Sequence, residues 1–365
     1  MGFPFCRGSN LCFTNHDCLH VRFKTHRNRT DNGISKRIRH MKILITDMLH
    51  TSDEQERAVC KRYGCELDTT FCHNEEDLIN CGKDADAFLV SYSKITRNVL
   101  ESLPNLKIVV KYGIGVDNID VQAASEHQVM VANVPDYCLE EVASHALMLI
   151  MNGLKQAPFF DRKFHESVWI SKPNDKIIYR PSEISIGLVS YGRISKMLAR
   201  YAQPLFKEVC FYDPYIRQYD DDISTKVQTL GELFERCTVI SIHTPLTAGT
   251  KYIINAELIS KLKGGILVNT SRADVVDPQA VVEGLNQRHI LFYGADTFWP
   301  EPPDFDSDLA QYFLNRTDVL ITPHCAWCSL TSEKDVRRKA TEIAIEGAKG
   351  KCPPSVLNSH ALKRC

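Results

Sequence analysis

Short apolar runs of strand length alternate with amphipathic stretches of helix length along this chain, in two successive series. The first series has strand-like runs at Lys42–Thr46, Ala87–Ser91, Ile108–Lys111 and Val129–Ala132. The second has them at Ile184–Val189, Val209–Tyr212, Val239–His243, Ile266–Asn269, Leu291–Ala295 and Val319–Thr322. Neighbouring parallel strands need a crossover long enough for a helix. The alternation therefore predicts two α/β units with parallel sheets. Arg193–Leu205 places Ile194, Leu198, Tyr201, Ala202 and Leu205 on one helical face. In "DPQAVVEGL", Asp277 suits an N-cap and Pro278 the first helical position. The units meet at the long apolar pattern Leu139–Leu154, followed by the turn-rich "SKPNDKIIYRPSE".

Residues 1–40 do not share this pattern. They carry eight Lys/Arg against two acids, +6, which leaves −7 for the rest of a chain of formal net charge −1. Cys6, Cys12, Cys18, His16 and His20 lack metal-ligand spacing, and no metal is expected. An Arg-rich, acid-poor leader also suits a transit peptide. The favoured reading is a disordered or mis-called leader, since Met41 opens directly into the strand-like "MKILITD". The near-zero net charge gives no electrostatic case for nucleic acid or membrane partners. Apolar runs such as "ALMLIM" fall well short of the ~18 residues that span a bilayer. Fourteen irregularly spaced Cys read as reduced thiols of a cytoplasmic protein.

The strand-like run ending at Val189 leads into "VSYGRIS" and then a helix pattern. In a dinucleotide-binding fold such a turn aims backbone N–H groups and a helix N-terminus at a pyrophosphate. The usual three glycines map to Ser190, Gly192 and Ser195. Gly192 is retained where a side chain would most directly obstruct a phosphate. Ser190 costs roughly 1–2 kcal/mol if its backbone is left-handed, about one power of ten in affinity. Asp213 ends the next strand, where a carboxylate accepts from a ribose 2′-hydroxyl and disfavours a 2′-phosphate. NAD is the cofactor expected.

Arg272, Glu301 and His324 each follow a predicted strand of the second unit, on the side where α/β folds bind ligands. Together they could reduce a carbonyl beside a carboxylate. Arg272 would bind the anion and polarise the ketone, His324 would deliver the proton, and Glu301 would orient the imidazole.

From Met41 to about Leu357 the chain resembles the D-isomer-specific 2-hydroxyacid dehydrogenases. The resemblance is carried by "KYGIGVDNID", "NVPDYCLEEVASHAL", "SIHTPLTAGT", "ILVNTSRADVVD", "GADTFWPEP" and "ITPHCAW", in the family's order. It implies a catalytic trio at Arg272, Glu301 and His324. It implies a substrate-carboxylate loop at Tyr112, Gly113 and Ile114, and Asp296 near the nicotinamide. Cofactor contacts are implied at Ser190, Tyr191, Gly192, Arg193 and Ile194, and at His243, Thr244, Pro245, Thr270 and Ser271. The rings of His145 and His243 are read as structural, and Asp136, Tyr137 and Cys138 as packing in the hinge. The implied architecture is a flavodoxin-like substrate domain, 41–138 plus 325–357, split around an NAD-binding domain, 139–324. The long helix crosses the hinge and supports a homodimer.

"TPHCAWCS" and "GKCPPSVLN" look most like the C-terminal-binding-protein branch, near the phosphoglycerate dehydrogenases. That likeness sets Trp327, and with it Tyr92, against the substrate. Glu301 in place of Gln argues against the formate dehydrogenase branch. About 41 residues follow His324, so no regulatory domain is expected after it. Besides the serines, Ala273 departs from a usual glycine and is expected to tilt Arg272 or crowd the nicotinamide. The expected function is hydride transfer between NAD and a small 2-keto or D-2-hydroxy acid. The alternatives are an NAD(H)-sensing, corepressor-like interaction protein and a pseudoenzyme.

Overall fold

The computed structural model describes residues 40–47, 50–219, 222–363 and 365; the leader reading lies outside them. The first sheet holds β1 (Lys42–Ile45), β2 (Glu66–Thr69), β3 (Ala87–Val90), β4 (Ile108–Lys111) and β5 (Met130–Ala132). Its order is β2-β1-β3-β4-β5, all parallel. The second holds β6 (Ser185–Val189), β7 (Glu208–Tyr212), β8 (Thr225–Lys226), β9 (Val239–Ile242), β10 (Gly265–Asn269), β11 (Ile290–Ala295) and β12 (Val319–Ile321). Its order is β12-β11-β10-β9-β6-β7-β8, again all parallel. Each order reverses direction once, at β1/β3 and at β6/β9, the doubly wound pattern.

Central strands buried on both faces read as near-continuous apolar runs. β3 and β9 are buried at every position, which is why the sequence reveals them. β2 and β8 differ from the expected strands and lie at sheet edges. In "ELDT" only Leu67 is buried, and β8 is two residues long. Neither offers enough apolar periodicity to stand out.

The helix Leu139–Lys155 forms where expected. Asp277 caps the helix Pro278–Asn286 by accepting from the Gln279 N–H. The long helix Leu330–Ala348 returns to the first sheet. Its Val336, Ala340, Ala344 and Ile345 share one core with Ile43, Ile45, Leu89, Ile108 and Val110. Arg337 pairs twice with the buried Glu56 carboxylate, at 2.8 and 2.6 Å, tying this helix to the helix Glu54–Tyr63. Past the helix, Asn358 accepts from the Val131 N–H and donates to the Val129 carbonyl.

The expectation of uniformly reduced thiols is corrected at one point. Cys352 and Cys365 are joined in a disulfide, because the turn Ser359–Ala361 brings the last residue back toward the helix end. Nine other described cysteines are free. No helix among the described residues is long and apolar enough to cross a membrane.

Candidate functional site

The carboxyl ends of five strands line one cleft, and the end of β6 adjoins it through the Ser190–Thr244 hydroxyl bond. β4 leads to Tyr112–Asp117, β6 to Ser190–Gly192 and β9 to His243–Pro245. β10 leads to Thr270–Arg272, β11 to Asp296 and β12 to His324. Two cavities, of about 350 and about 950 Å³, share Tyr92, Lys111, Gly115, Asp117, Arg272 and His324 in their walls.

Arg272 comes from an extended residue after β10. Its Nε donates to Asp117 Oδ2 at 2.8 Å and its Nη1 to the Ser271 carbonyl at 2.9 Å. Two acceptors, the Asp117 carboxylate and the Ser271 carbonyl, hold the guanidinium against the backbone of Gly115. A Cβ built at Gly115 would stand 1.8 Å from Arg272 Nη2, so glycine there is a condition of the arginine's position. Ala273 does not disturb it. Its methyl is buried in the core with Val275 and Val276, turned away from the cleft.

His324 Nδ1 lies 2.6 Å from Glu301 Oε2, and the other Glu301 oxygen accepts from the Phe298 N–H at 3.1 Å. Burial pushes the Glu301 carboxyl up. The hydrogen bond and charge of His324 outweigh it and hold the carboxyl below its ordinary value. The backbone of His324 is left-handed, φ 52°. Behind it, Asp296 accepts from the Cys325 N–H, the Ala326 N–H and the Thr322 hydroxyl. His145 Nε2 meets the same Thr322 hydroxyl at 2.8 Å. Asp296 is thus buried as a clamp on the His324 turn while also bordering the cleft.

The turn after β6 fits a dinucleotide. Gly192 opens the helix Arg193–Ala202 with no side-chain cap, which leaves the N–H groups of its first turn for an anion. A Cβ at Gly192 would meet no protein atom within 4 Å, so the fold itself does not require the glycine. The Thr270 hydroxyl, in the cleft wall, is buried without a hydrogen-bond partner among the described residues. Ser190 is left-handed at φ 70°, as feared from its glycine position. Its hydroxyl bonds Thr244 Oγ1 at 2.8 Å, and Ser195 Oγ donates to the Ser190 carbonyl at 2.7 Å. The two serines brace each other's turn, so the strain is a cost borne by the fold. Asp213 sits beside this turn. Its carboxylate accepts from the Tyr191 and Tyr215 N–H groups, and each oxygen keeps a further lone pair.

Several expected contacts are placed differently. The Tyr191 ring does not line the cleft: it is buried, stacked on Phe211 at 3.9 Å, with its hydroxyl on Ser224. An aromatic ring gains more from that core than from a polar turn. The Tyr112 N–H is spent on the Val90 carbonyl and its hydroxyl on Glu56, so the carboxylate loop reduces to Gly113 and Ile114. Among the described hydrogen bonds those two N–H groups have no acceptor in the chain. The Ser271 hydroxyl is spent on Asn269. Burial pushes His243 down to about 4, so its ring is neutral and bonds Ser241. Ile194, Pro245, Tyr137 and Trp327 line the smaller cavity, and Tyr92 both. Arg193 reaches the Pro135 carbonyl.

Two site residues escaped the sequence reading. Asp117 anchors Arg272. Lys111, at the end of β4, lies in both cavity walls with its ammonium on the Ser91 carbonyl. Burial pushes the Lys111 amine down to about 8; Asp47 pulls it up and Arg272 adds to the fall. A single basic residue closing a strand has no spacing to betray it. Asp117 sits inside a quoted block, but only its contact with Arg272 shows its use.

Residues 147–326 match the family model described as "D-isomer specific 2-hydroxyacid dehydrogenase, NAD binding domain". Glyoxylate reductase of Korarchaeum cryptofilum is 31% identical over 293 residues, 77% of this chain and 85% of that protein. The chain belongs to the D-isomer specific 2-hydroxyacid dehydrogenase family. Family membership makes NAD the cofactor. D-3-phosphoglycerate dehydrogenase of Bacillus subtilis is 31% identical over 76% of this chain and 52% of its own length, so the chain spans about half of that relative. A solved D-lactate dehydrogenase of Aquifex aeolicus, complexed with NAD and lactic acid, is 25% identical with a TM-score of 0.76, covering 84% of this chain and 96% of that one.

Proposed function

We propose that this member of the family is an NAD-dependent oxidoreductase interconverting a small 2-keto acid and the D-2-hydroxy acid. The observation that carries this is the convergence of Arg272, held by Asp117, and the His324–Glu301 pair on one cleft. When bound, the nicotinamide supplies or takes the hydride at C2 of the substrate. Arg272 binds the carboxylate and polarises the carbonyl oxygen. The Gly113 and Ile114 N–H groups take the other side of the carboxylate. His324 passes a proton to the developing alkoxide through Nε2, because Glu301 holds Nδ1. Glu301 stabilises the imidazolium that waits for that transfer. Trp327 and Tyr92 wall the pocket around the substrate's side group, and closure of the cleft excludes water.

The chain divides functionally as a substrate-side domain, 41–138 with 325–357, around an NAD-binding domain, 139–324. The active form is a homodimer built on the helix Leu139–Lys155 and the segment after it. In support, Val168, Ile177 and Ile178 are well exposed and Trp169 is 90% exposed, a dense apolar set to leave in water. The cytoplasm is the proposed compartment, in keeping with nine free thiols among the described residues.

The test is NADH oxidation with glyoxylate, hydroxypyruvate and longer 2-oxo acids. Turnover with at least one acid, lost in Arg272→Ala and His324→Ala while both variants still bind NADH, is the expected result. Undiminished turnover in both variants would overturn the site.

A further inference from the structure

The stretch after His324 reads Cys325–Ala326–Trp327–Cys328, two thiols separated by two residues. The Cys328 N–H donates to the Cys325 carbonyl at 2.9 Å, closing a four-residue turn. Such a turn brings its first and fourth Cα within about 7 Å, and a disulfide spans roughly 4.4–6.8 Å between Cα atoms. Both thiols are free. Cys60 with Cys65 and Cys210 with Cys237 also lie close together, but each of those pairs has a buried member. Among the described free thiols only Cys328 is exposed.

The first thiol of the turn faces the machinery that positions His324. Cys325 Sγ, an Asp296 carboxylate oxygen and a His145 ring nitrogen lie within 4.8 Å of one another. Asp296 also accepts the Cys325 and Ala326 N–H groups. This carboxylate has its donors in place, so the cluster reads as a hydrogen-bonded clamp. Moving Cys325 Sγ toward Cys328 takes it out of the clamp, one peptide bond from the left-handed His324.

We infer that Cys325 and Cys328 form a peroxide-reactive dithiol, a modification site whose oxidation to a disulfide disables the adjacent His324. Its effect on turnover rests on the role proposed above for His324. The exposed Cys328 thiolate attacks hydrogen peroxide: an S–O bond forms, the O–O bond breaks, and hydroxide leaves to take up a proton as water. The Cys325 thiol then attacks the Cys328 sulfenic sulfur. An S–S bond forms, the S–O bond breaks, and a second water leaves with the Cys325 proton. The dithiol loses two electrons and the peroxide gains them. Burial and the Asp296 carboxylate push the Cys325 thiol up, which assigns it the resolving part.

Reduced full-length protein is treated with hydrogen peroxide, its remaining thiols are alkylated, and the peptide spanning the turn is weighed. The expected peptide is about 2 Da lighter than its dithiol form and carries no alkyl group. Turnover falls at least about tenfold, dithiothreitol restores it, and Cys328→Ser keeps its activity through the same treatment. Cys325 alkylated in full after oxidation would overturn the dithiol. So would equal peroxide sensitivity of the wild type and Cys328→Ser. A disulfide formed in a protein that turned over no 2-oxo acid beforehand would count for the dithiol and against the proposed function.

Discussion

Gly115→Ala adds one methyl group at the point where the backbone after β4 touches Arg272. The built Cβ lies 1.8 Å from Arg272 Nη2, 2.9 Å from its Cζ and 2.9 Å from Asp117 Oδ2. Gly115 is not among the positive-φ residues, so alanine meets no backbone barrier. The nearest obstacle is the end of a flexible side chain, and the guanidinium must retreat by about 1.6 Å to ordinary contact near 3.4 Å. A 1 Å misplacement of a substrate-positioning group costs on the order of 10²-fold in rate. That corresponds to about 2.7 kcal/mol of transition-state stabilisation. The expected result is therefore a loss of about 10² in kcat/KM for the 2-oxo acid, with the urea unfolding midpoint and NADH affinity close to wild type. In an Arg272→Ala background the same methyl should be nearly silent, since its target is gone. A kcat/KM within twofold of wild type, in a folded Gly115→Ala protein, would refute the reasoning: the observed seat of Arg272 would not be the one used in turnover.

Other expectations follow from neighbouring contacts. Ser190→Gly relieves about 1–2 kcal/mol of left-handed strain but loses the Thr244 bond, whereas Ser190→Ala loses the bond and keeps the strain. The glycine variant should be the more stable by about 1–2 kcal/mol in urea unfolding, and equal midpoints would contradict this. His324→Gln should lower kcat by about 10²–10⁴ with NADH affinity retained, and Glu301→Gln should lower it less; a larger loss in the glutamine-for-glutamate variant would reverse the roles. Lys111, with its amine near 8, is cationic below that pH and neutral above it. KM for the 2-oxo acid should therefore rise as pH passes 8, and the rise should vanish in Lys111→Met. Trp169→Ser should weaken self-association on size-exclusion with light scattering; an unchanged mass would remove that residue from the interface.

The parallel sheets were legible because strands buried on both faces write uninterrupted apolar runs, as in β3 and β9. Edge strands such as "ELDT" bury one residue and leave no such mark. The positions of Arg272, Glu301 and His324 were legible because strand ends in this architecture face the ligand. What each backbone N–H does was not. The Tyr112 N–H belongs to the ladder with Val90, and no residue type encodes that. Tyr191 misled for a related reason: a motif position names a backbone that approaches a phosphate, while the side chain of the same residue is free to enter the core. Serine in two glycine positions looked like damage, but the Ser190–Thr244 and Ser195–Ser190 bonds show the pair bracing the turn instead.

The return of the helix Leu330–Ala348 to the first sheet has a consequence during synthesis. The seven-stranded sheet has all its strands once Ile321 has left the ribosome. The five-stranded sheet begins to emerge first, yet its core lacks Val336, Ala340 and Ala344 until nearly the whole chain is out. Domains fold as units as they emerge, so the segment inserted later matures earlier. Until then Ile43, Ile45, Leu89, Ile108 and Val110 wait with one face open. A nascent chain stalled with residues up to about 325 outside the ribosome should carry a protease-resistant second unit and a first unit that chaperones still hold.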